Sequence, residues 1–276
     1  MIGNIGAVFW FEWKRALSWS RMLWSLALAL FPVFIMAIVR FNAFSVADAE
    51  RRSTPSWQFV WRGLCAWLLF ALIPMLVSML GTLLWTTPAI SSELERRSWV
   101  YLAVRPNGGT AVLLGKYLAA VTWIIPPALL GLTIAVPIAG LATMEDSWRI
   151  WWGIARLVLL SAPAYAAIYL LLGVLMPRRA LVLAVAYTLI FELIVSFVPA
   201  VINKITVQYR LRSLAAEWCD ISYSGTSGAS TAMLFIGSEP AWQNIGVLIL
   251  LTLTLLGLAV AVLRASEFSS SAESDT

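Results

Sequence analysis

Histidine is absent from this chain of 276 residues, cysteine occurs only twice, and charged residues make up only 12% of the sequence. Without histidine the chain lacks the commonest general base and the commonest metal ligand, which excludes histidine-dependent proteases and most zinc enzymes. Cys65 lies in an apolar run and Cys219 in a polar one, so a disulfide between them is not expected. The scarcity of charge excludes an ordinary soluble domain, in which about a quarter of the residues are charged.

Motifs for nucleotide binding and for serine hydrolysis are also missing. A phosphate-binding loop has the form G-x-x-x-x-G-K-[ST]. The nearest approach runs from Gly109 to Gly115, Lys116 and Tyr117, with one residue too many and tyrosine where the magnesium-binding hydroxyl residue would stand. No G-x-S-x-G motif occurs. We therefore expect a chain that is not an enzyme by itself and that holds no cofactor and no metal.

The residues that are present indicate a membrane protein. Hydrophobic residues make up 61% of the chain, and 15 residues are tryptophan. Tryptophan is enriched at membrane–water interfaces, where its ring is buried while its N–H stays hydrated. The net charge of +5 is compatible with contact to anionic lipid. Aromatic and basic residues do not alternate on any polar stretch, so no nucleic-acid partner is expected.

Charged residues divide the sequence into long apolar runs of the length that crosses a bilayer. A helix needs about 20 apolar residues for this, and the runs lack the short alternation of barrel strands. The pattern predicts an all-α, polytopic membrane domain over residues 1–276. Its six transmembrane helices are predicted at about 22–39, 63–88, 113–141, 153–176, 180–202 and 241–263.

Residues 1–21 are predicted to form an amphipathic helix that lies in the membrane surface. Apolar residues recur there at helical spacing, and most of the charged ones fall elsewhere on the helical wheel. The apolar set is Ile5, Val8, Phe9, Trp13, Ala16 and Leu17.

Six spans place both termini on the same side of the membrane, and the short turns indicate which side. Lysine and arginine number 10 on the side of the termini and 9 on the other, so the overall count decides little. The turn with Arg178 and Arg179 is purely basic, whereas the turn over 144–147 is purely acidic. The positive-inside rule then predicts that both termini are cytoplasmic. We expect the chain to lie in the cell inner membrane. Residues 91–112 become a cytoplasmic segment, and 203–240 become an outer loop with a short helix over 209–218.

Glu192 is the ionisable residue that lies deep inside a predicted span. It is about ten residues from the outer end, or roughly 15 Å at 1.5 Å per residue. An isolated charge at that depth is costly, so Glu192 must face protein or water. It is either part of a translocation path or a packed structural residue, and Arg156 is a possible partner in both cases.

The polar run after the second span resembles the ABC-2 type transporter permeases. Three stretches carry the resemblance: Ile90–Arg96 with an acidic E-x-E start, Trp99–Pro106 with a short apolar helix and an R-P turn, and Leu114–Ala119 with a G-K pair. Arg97 and Ser98 stand where the family commonly has Gly-Thr. The interfacial helix, the six spans and the long last outer loop agree with the same family.

The resemblance implies a permease subunit of an ABC transporter, and most simply an exporter. Such a chain pairs with a second permease, as a homodimer or a heterodimer, and docks a separate ATP-binding subunit that holds the ATP and magnesium. The alternative is a membrane subunit that passes ATPase motion to an outer-side partner without moving a substrate. Within the coupling segment 91–112, the ATPase contacts implied are Glu93, Glu95, Arg96, Arg97, Trp99, Tyr101 and Leu102.

Overall fold

A computed structural model describes residues 2–47, 52, 54–95, 108–197, 201–220 and 239–272. These residues form helices joined by short turns, with no strand among them, so the predicted all-α class is confirmed. The α-helices, numbered in chain order, are α1 Ile2–Ala16, α2 Trp19–Val46, α3 Pro55–Phe70, α4 Ser78–Glu95, α5 Gly108–Ala139, α6 Met144–Leu175, α7 Ala180–Tyr187, α8 Val207–Trp218 and α9 Ala241–Ala272.

Five helices in the described part of the chain are long and apolar enough to cross a membrane. They are α2, the continuous rod of α3 and α4, then α5, α6 and α9. The chain therefore has the character of a helical membrane protein. In the described part of the predicted span at 180–202, α7 passes into a π-helical turn over Thr188–Ile194 and a 3-10 turn over Val195–Phe197. A sixth crossing there stays a prediction.

The rod of α3 and α4 contains a second π-helical turn, Ala71–Val77, with Pro74 inside it. Proline has no N–H to donate, so the regular i to i−4 ladder is interrupted at this residue. A wider turn accommodates the interruption without ending the helix. The rod thus continues as one element through its proline.

Helix α6 lies at the centre of the bundle and is packed by α4, α5, α8 and α9. Small side chains allow this close approach, as in other membrane helix interfaces. Ala162, Ala164, Ala166 and Ala167 are fully buried, and so are the rings of Tyr165 and Tyr169. In contrast, α2 and α9 present large exposed apolar side chains, including Trp19, Phe34, Phe41, Leu250 and Leu253. Such faces suit contact with lipid or with another chain.

Helices α2 and α5 pack through a backbone contact at Gly131. A Cβ atom placed on Gly131 would lie 2.6 Å from the backbone oxygen of Ala29 and 3.3 Å from the ring of Pro32. Farther along the same pair, Arg40 of α2 donates to the Ile138 carbonyl of α5 at 2.8 Å. Trp61, from α3, donates to the next carbonyl of α5, that of Ala139, at 3.0 Å. These donors satisfy carbonyl groups that a helix end leaves without intrahelical partners. Gly131 and Arg40 together fix α2 along α5.

We expect Gly131→Ala to destabilise the protein, because the added methyl meets a backbone oxygen that cannot rotate away. Overpacking of this kind costs about 1–3 kcal/mol. Thermal unfolding of the purified chain in detergent measures the effect. Gly257→Ala in α9 is the matched control, since nothing lies within 4 Å of a Cβ there. Equal melting temperatures for the two variants would contradict the assignment of a tight α2–α5 contact.

Candidate functional site

The structure describes the two helices from which the predicted coupling segment departs. Helix α4 ends at Glu95 and α5 begins at Gly108. Glu93 and Glu95 belong to the last turn of α4, although their side chains lie outside the described part. Five further predicted contacts also lie outside the described residues: Arg96, Arg97, Trp99, Tyr101 and Leu102.

Helix α1 packs against the beginning of α5. A Cβ atom on Gly115 would lie 2.8 Å from the Cβ of Val8, so the absence of a side chain there allows the two helices to touch. Trp13 donates from Nε1 to Thr122 Oγ1 at 3.0 Å and meets the Trp123 ring edge-on at 5.4 Å. Most of the predicted apolar set of α1 is buried or half-buried, but Leu17 is 50% exposed. The location of α1 at a membrane surface stays a prediction.

Lys116 joins α1, α4 and α5. Its Nζ donates to the Ala89 carbonyl of α4 at 2.6 Å and lies 3.4 Å from Glu12 Oε1 of α1. The Lys116 side chain is only 5% exposed, so its charge needs this compensation. We call Glu12, Ala89, Gly115 and Lys116 the Lys116 junction. The G-K pair quoted in the sequence motif is therefore the place where α1 and α4 are attached to α5.

The end of α9 also reaches this region. Arg264 donates from Nη2 to Thr110 Oγ1, in the first turn of α5, at 3.3 Å. Thr110 is buried. Helices α1, α4, α5 and α9 are thus in contact close to the point where the chain leaves α4 and returns as α5.

A second polar region surrounds Glu192, which is completely buried. Its Oε1 accepts from Tyr187 Oη at 3.0 Å, and its Oε2 accepts from the backbone N–H of Gln208 at 3.0 Å. Gln208 lies in the first turn of α8, where N–H groups have no intrahelical acceptor and a negative charge is favourable. Thr206 adds a cap by accepting from the Tyr209 N–H at 3.3 Å. Glu192 therefore caps the start of α8 from another segment.

Arg212 balances the charge one turn farther along α8. Its Nη2 donates to the carbonyl and the hydroxyl of Ser196 at 3.1 and 3.3 Å, and Ser196 Oγ donates to the Glu192 carbonyl at 2.5 Å. Arg156, the partner predicted from the sequence, is exposed and lies against other groups. Its guanidinium is 5.8 Å from the Trp152 ring and 5.7 Å from the Trp218 ring. Among the described residues, the cation linked to Glu192 is therefore Arg212 in place of Arg156, and the link runs through Ser196.

The same helix is attached to the beginning of α9. Arg210 donates to Asn244 Oδ1 at 2.9 Å and to the Lys204 carbonyl at 2.9 Å. Glu239, just before α9, lies 2.8 Å from Lys204 Nζ and 3.7 Å from Arg210 Nη1. Residues Glu192, Ser196, Gln208, Arg210, Arg212 and Glu239 form what we call the α8 polar cluster.

No protein-family model matches this chain, and no curated protein matches it.

Sequence reasoning missed the burial of α8. It placed a short helix over 209–218 inside an outer loop, and the structure has the helix at Val207–Trp218 but packs it into the bundle. Nine consecutive residues, 207–215, are buried, although two of them are arginines. The apolar residues Val207, Leu211, Leu214 and Ala215 recur at helical spacing, which is the signal that could have revealed a buried face.

We expect Glu192→Leu to destabilise the protein, because it leaves the buried backbone N–H of Gln208 and the hydroxyl of Tyr187 without their acceptor. Each buried donor that loses its acceptor costs about 1–3 kcal/mol. Glu192→Gln keeps an acceptor oxygen and should cost less. Thermal unfolding in detergent measures both. Glu217→Leu is the matched control on the same helix, where the side chain is exposed. If all three variants unfold at the wild-type temperature, Glu192 does not hold α8.

Acid should weaken the attachment of α8 to α9. The hydrogen bond from Lys204 holds the pKa of Glu239 below its ordinary value. A carboxylate with a lowered folded-state pKa stabilises the fold above its unfolded-state pKa, and this is lost as the pH falls through the folded value. The melting temperature of the wild type should therefore drop more steeply than that of Glu239→Gln as the pH falls below the ordinary glutamate range. Parallel pH profiles would exclude this role.

Proposed function

We propose that this chain is the permease subunit of an ATP-driven ABC transporter of the ABC-2 type, and that it is an exporter. It works with a second permease chain and with a separate ATP-binding subunit. Within this proposal both termini and the segment 91–112 are cytoplasmic, 180–202 makes the sixth crossing, and α1 lies at the inner surface of the cell membrane.

The observation that supports the proposal most is the Lys116 junction. The polar segment leaves from α4 and returns as α5, and Lys116 attaches both helices to each other and to α1. A force applied to the segment by a partner would therefore displace three helices together. Helix α5 packs along α2 and α6, and α4 packs along α6, so the displacement would reach the centre of the bundle.

The residues of the segment suit a docking element. Trp99, Tyr101 and Leu102 are anchors for an apolar pocket of the ATP-binding subunit, because buried aromatic side chains supply most of the energy of such contacts. Glu93, Glu95, Arg96 and Arg97 supply charged contacts of both signs around them.

The α8 polar cluster has a supporting role in this proposal. In the described conformation both oxygens of the Glu192 carboxylate accept hydrogen bonds from protein groups, which favours its structural interpretation over a translocation path. The α8 polar cluster joins α7, α8 and α9. In the proposed orientation it would keep the ends of these helices on the outer side of the membrane together while their cytoplasmic ends move.

Replacing Trp99 and Leu102 with aspartate should abolish association with the ATP-binding subunit, because charge in the anchor positions prevents burial in an apolar pocket. Affinity purification of the tagged chain, with mass spectrometry of co-purified ATP-binding proteins, measures this. The matched control replaces Leu234 and Phe235 with aspartate in the predicted outer loop, where association should persist. Unchanged co-purification with the first variant, at normal expression, would refute the docking role of the segment.

A further inference from the structure

A charged cavity of about 330 Å³ lies between α1, α2, α4 and α5. Arg15 of α1, Arg21 of α2 and Lys116 of α5 contribute positive charges to its lining, and Glu12 contributes the single carboxylate among the described residues that line it. The cavity therefore carries two positive charges in excess. Its volume falls within the usual range for small-molecule sites, roughly 300–1,000 Å³.

The three positive charges of the cavity do not all have an ion-pair partner among the described residues. Glu12 lies 3.4 Å from Lys116 and 3.9 Å from Arg15, so its carboxylate is shared between them. The guanidinium of Arg21 has neither an ion pair nor a hydrogen bond to any other described residue. The Arg15 side chain is half exposed, at 51%. The cavity thus offers two arginines to a negatively charged ligand.

An apolar groove of about 380 Å³ adjoins this cavity, and Trp123 lines both. The groove follows α2 from Trp19 to Ala29 and α5 from Trp123 to Leu130. The stretch from Arg21 to Ala29 is about 12 Å long at 1.5 Å per residue, so the groove extends inward from the level of the charges. Four apolar side chains that line the groove are exposed: Trp19, Met22, Leu23 and Leu26. The groove therefore opens on the surface of the helix bundle.

The order of these features matches one ligand chemistry. A group of excess positive charge lies at the beginning of α2, where a membrane helix meets the headgroup layer. An apolar channel continues from it toward the middle of the helix. We propose that this composite site binds an anionic glycerophospholipid, with its phosphate and headgroup against Arg15 and Arg21 and one acyl chain in the groove.

The site has a consequence for the Lys116 junction. A bound phosphate would compete with Glu12 for Arg15 and would lie beside the Lys116–Glu12 pair, so occupancy would bias the contact between α1 and α5. Binding itself does not depend on an ATP-binding partner. Its failure would therefore leave the proposed transport function untouched, and the reverse also holds.

The test is lipid binding to the purified full chain in detergent micelles, measured by native mass spectrometry. Phosphatidylglycerol and phosphatidylcholine with identical acyl chains are the probes. We expect phosphatidylglycerol to bind the wild type more tightly. The double variant Arg15→Gln, Arg21→Gln should weaken it by roughly tenfold or more, since both positive charges that face the phosphate are lost. Phosphatidylcholine should change little.

Two matched variants isolate the charge and the groove. Arg178→Gln, Arg179→Gln removes two exposed arginines elsewhere and should leave phosphatidylglycerol binding unchanged. Leu130→Trp fills the groove and should weaken both lipids. Arg15→Lys, Arg21→Lys should retain most of the phosphatidylglycerol binding, which separates loss of charge from loss of fold.

Three outcomes would overturn the proposal. Equal affinity of the wild type for the two lipids would remove headgroup selectivity. An equal loss in the Arg178, Arg179 control would assign the selectivity to general surface charge. Full displacement of phosphatidylglycerol by soluble glycerol phosphate would reduce the site to one for a free anion.

Discussion

The carboxylate of Glu192 is the contact on which the arrangement of the last three helices depends. Helix α8 is short and carries two buried arginines, so its burial is unfavourable unless other groups accept hydrogen bonds from them. The Glu192 carboxylate accepts a hydrogen bond from the Gln208 N–H in the first turn of α8. Arg212 of the same helix donates to the Ser196 carbonyl. Because α8 is held from one side by the π-helical turn that carries Glu192 and from the other by the beginning of α9, these segments form one unit around α6.

Lys116 joins helices in a similar way at a different point of the bundle, but here the buried charge is positive. Here a buried cation is satisfied by the carbonyl of Ala89 and the carboxylate of Glu12. In both places a charge that is costly to bury is retained by contacts to a backbone group and to a second element. Such contacts are directional, whereas the surrounding Ala, Leu and Val contacts are not. The polar residues therefore specify which helices adjoin, and the apolar residues supply the packing.

The long helices could be predicted from the sequence because length and apolar composition follow from bilayer thickness alone. The helical class and the five long apolar helices were accessible in this way. The burial of α8 was not, because its arginines and glutamine indicate exposure until their partners are known. Arg156 was chosen for Glu192 by proximity in a linear span count, which ignores that α8 returns into the bundle. The residues of the coupling segment stay predictions.

The cap that Glu192 provides has a consequence for biosynthesis. Its backbone partner, Gln208, follows 16 residues later in the chain. During synthesis the carboxylate emerges first and has no complete set of partners until α8 has been made. The surroundings of Glu192 are therefore complete only after α8 has been made, so this part of the fold forms late in synthesis.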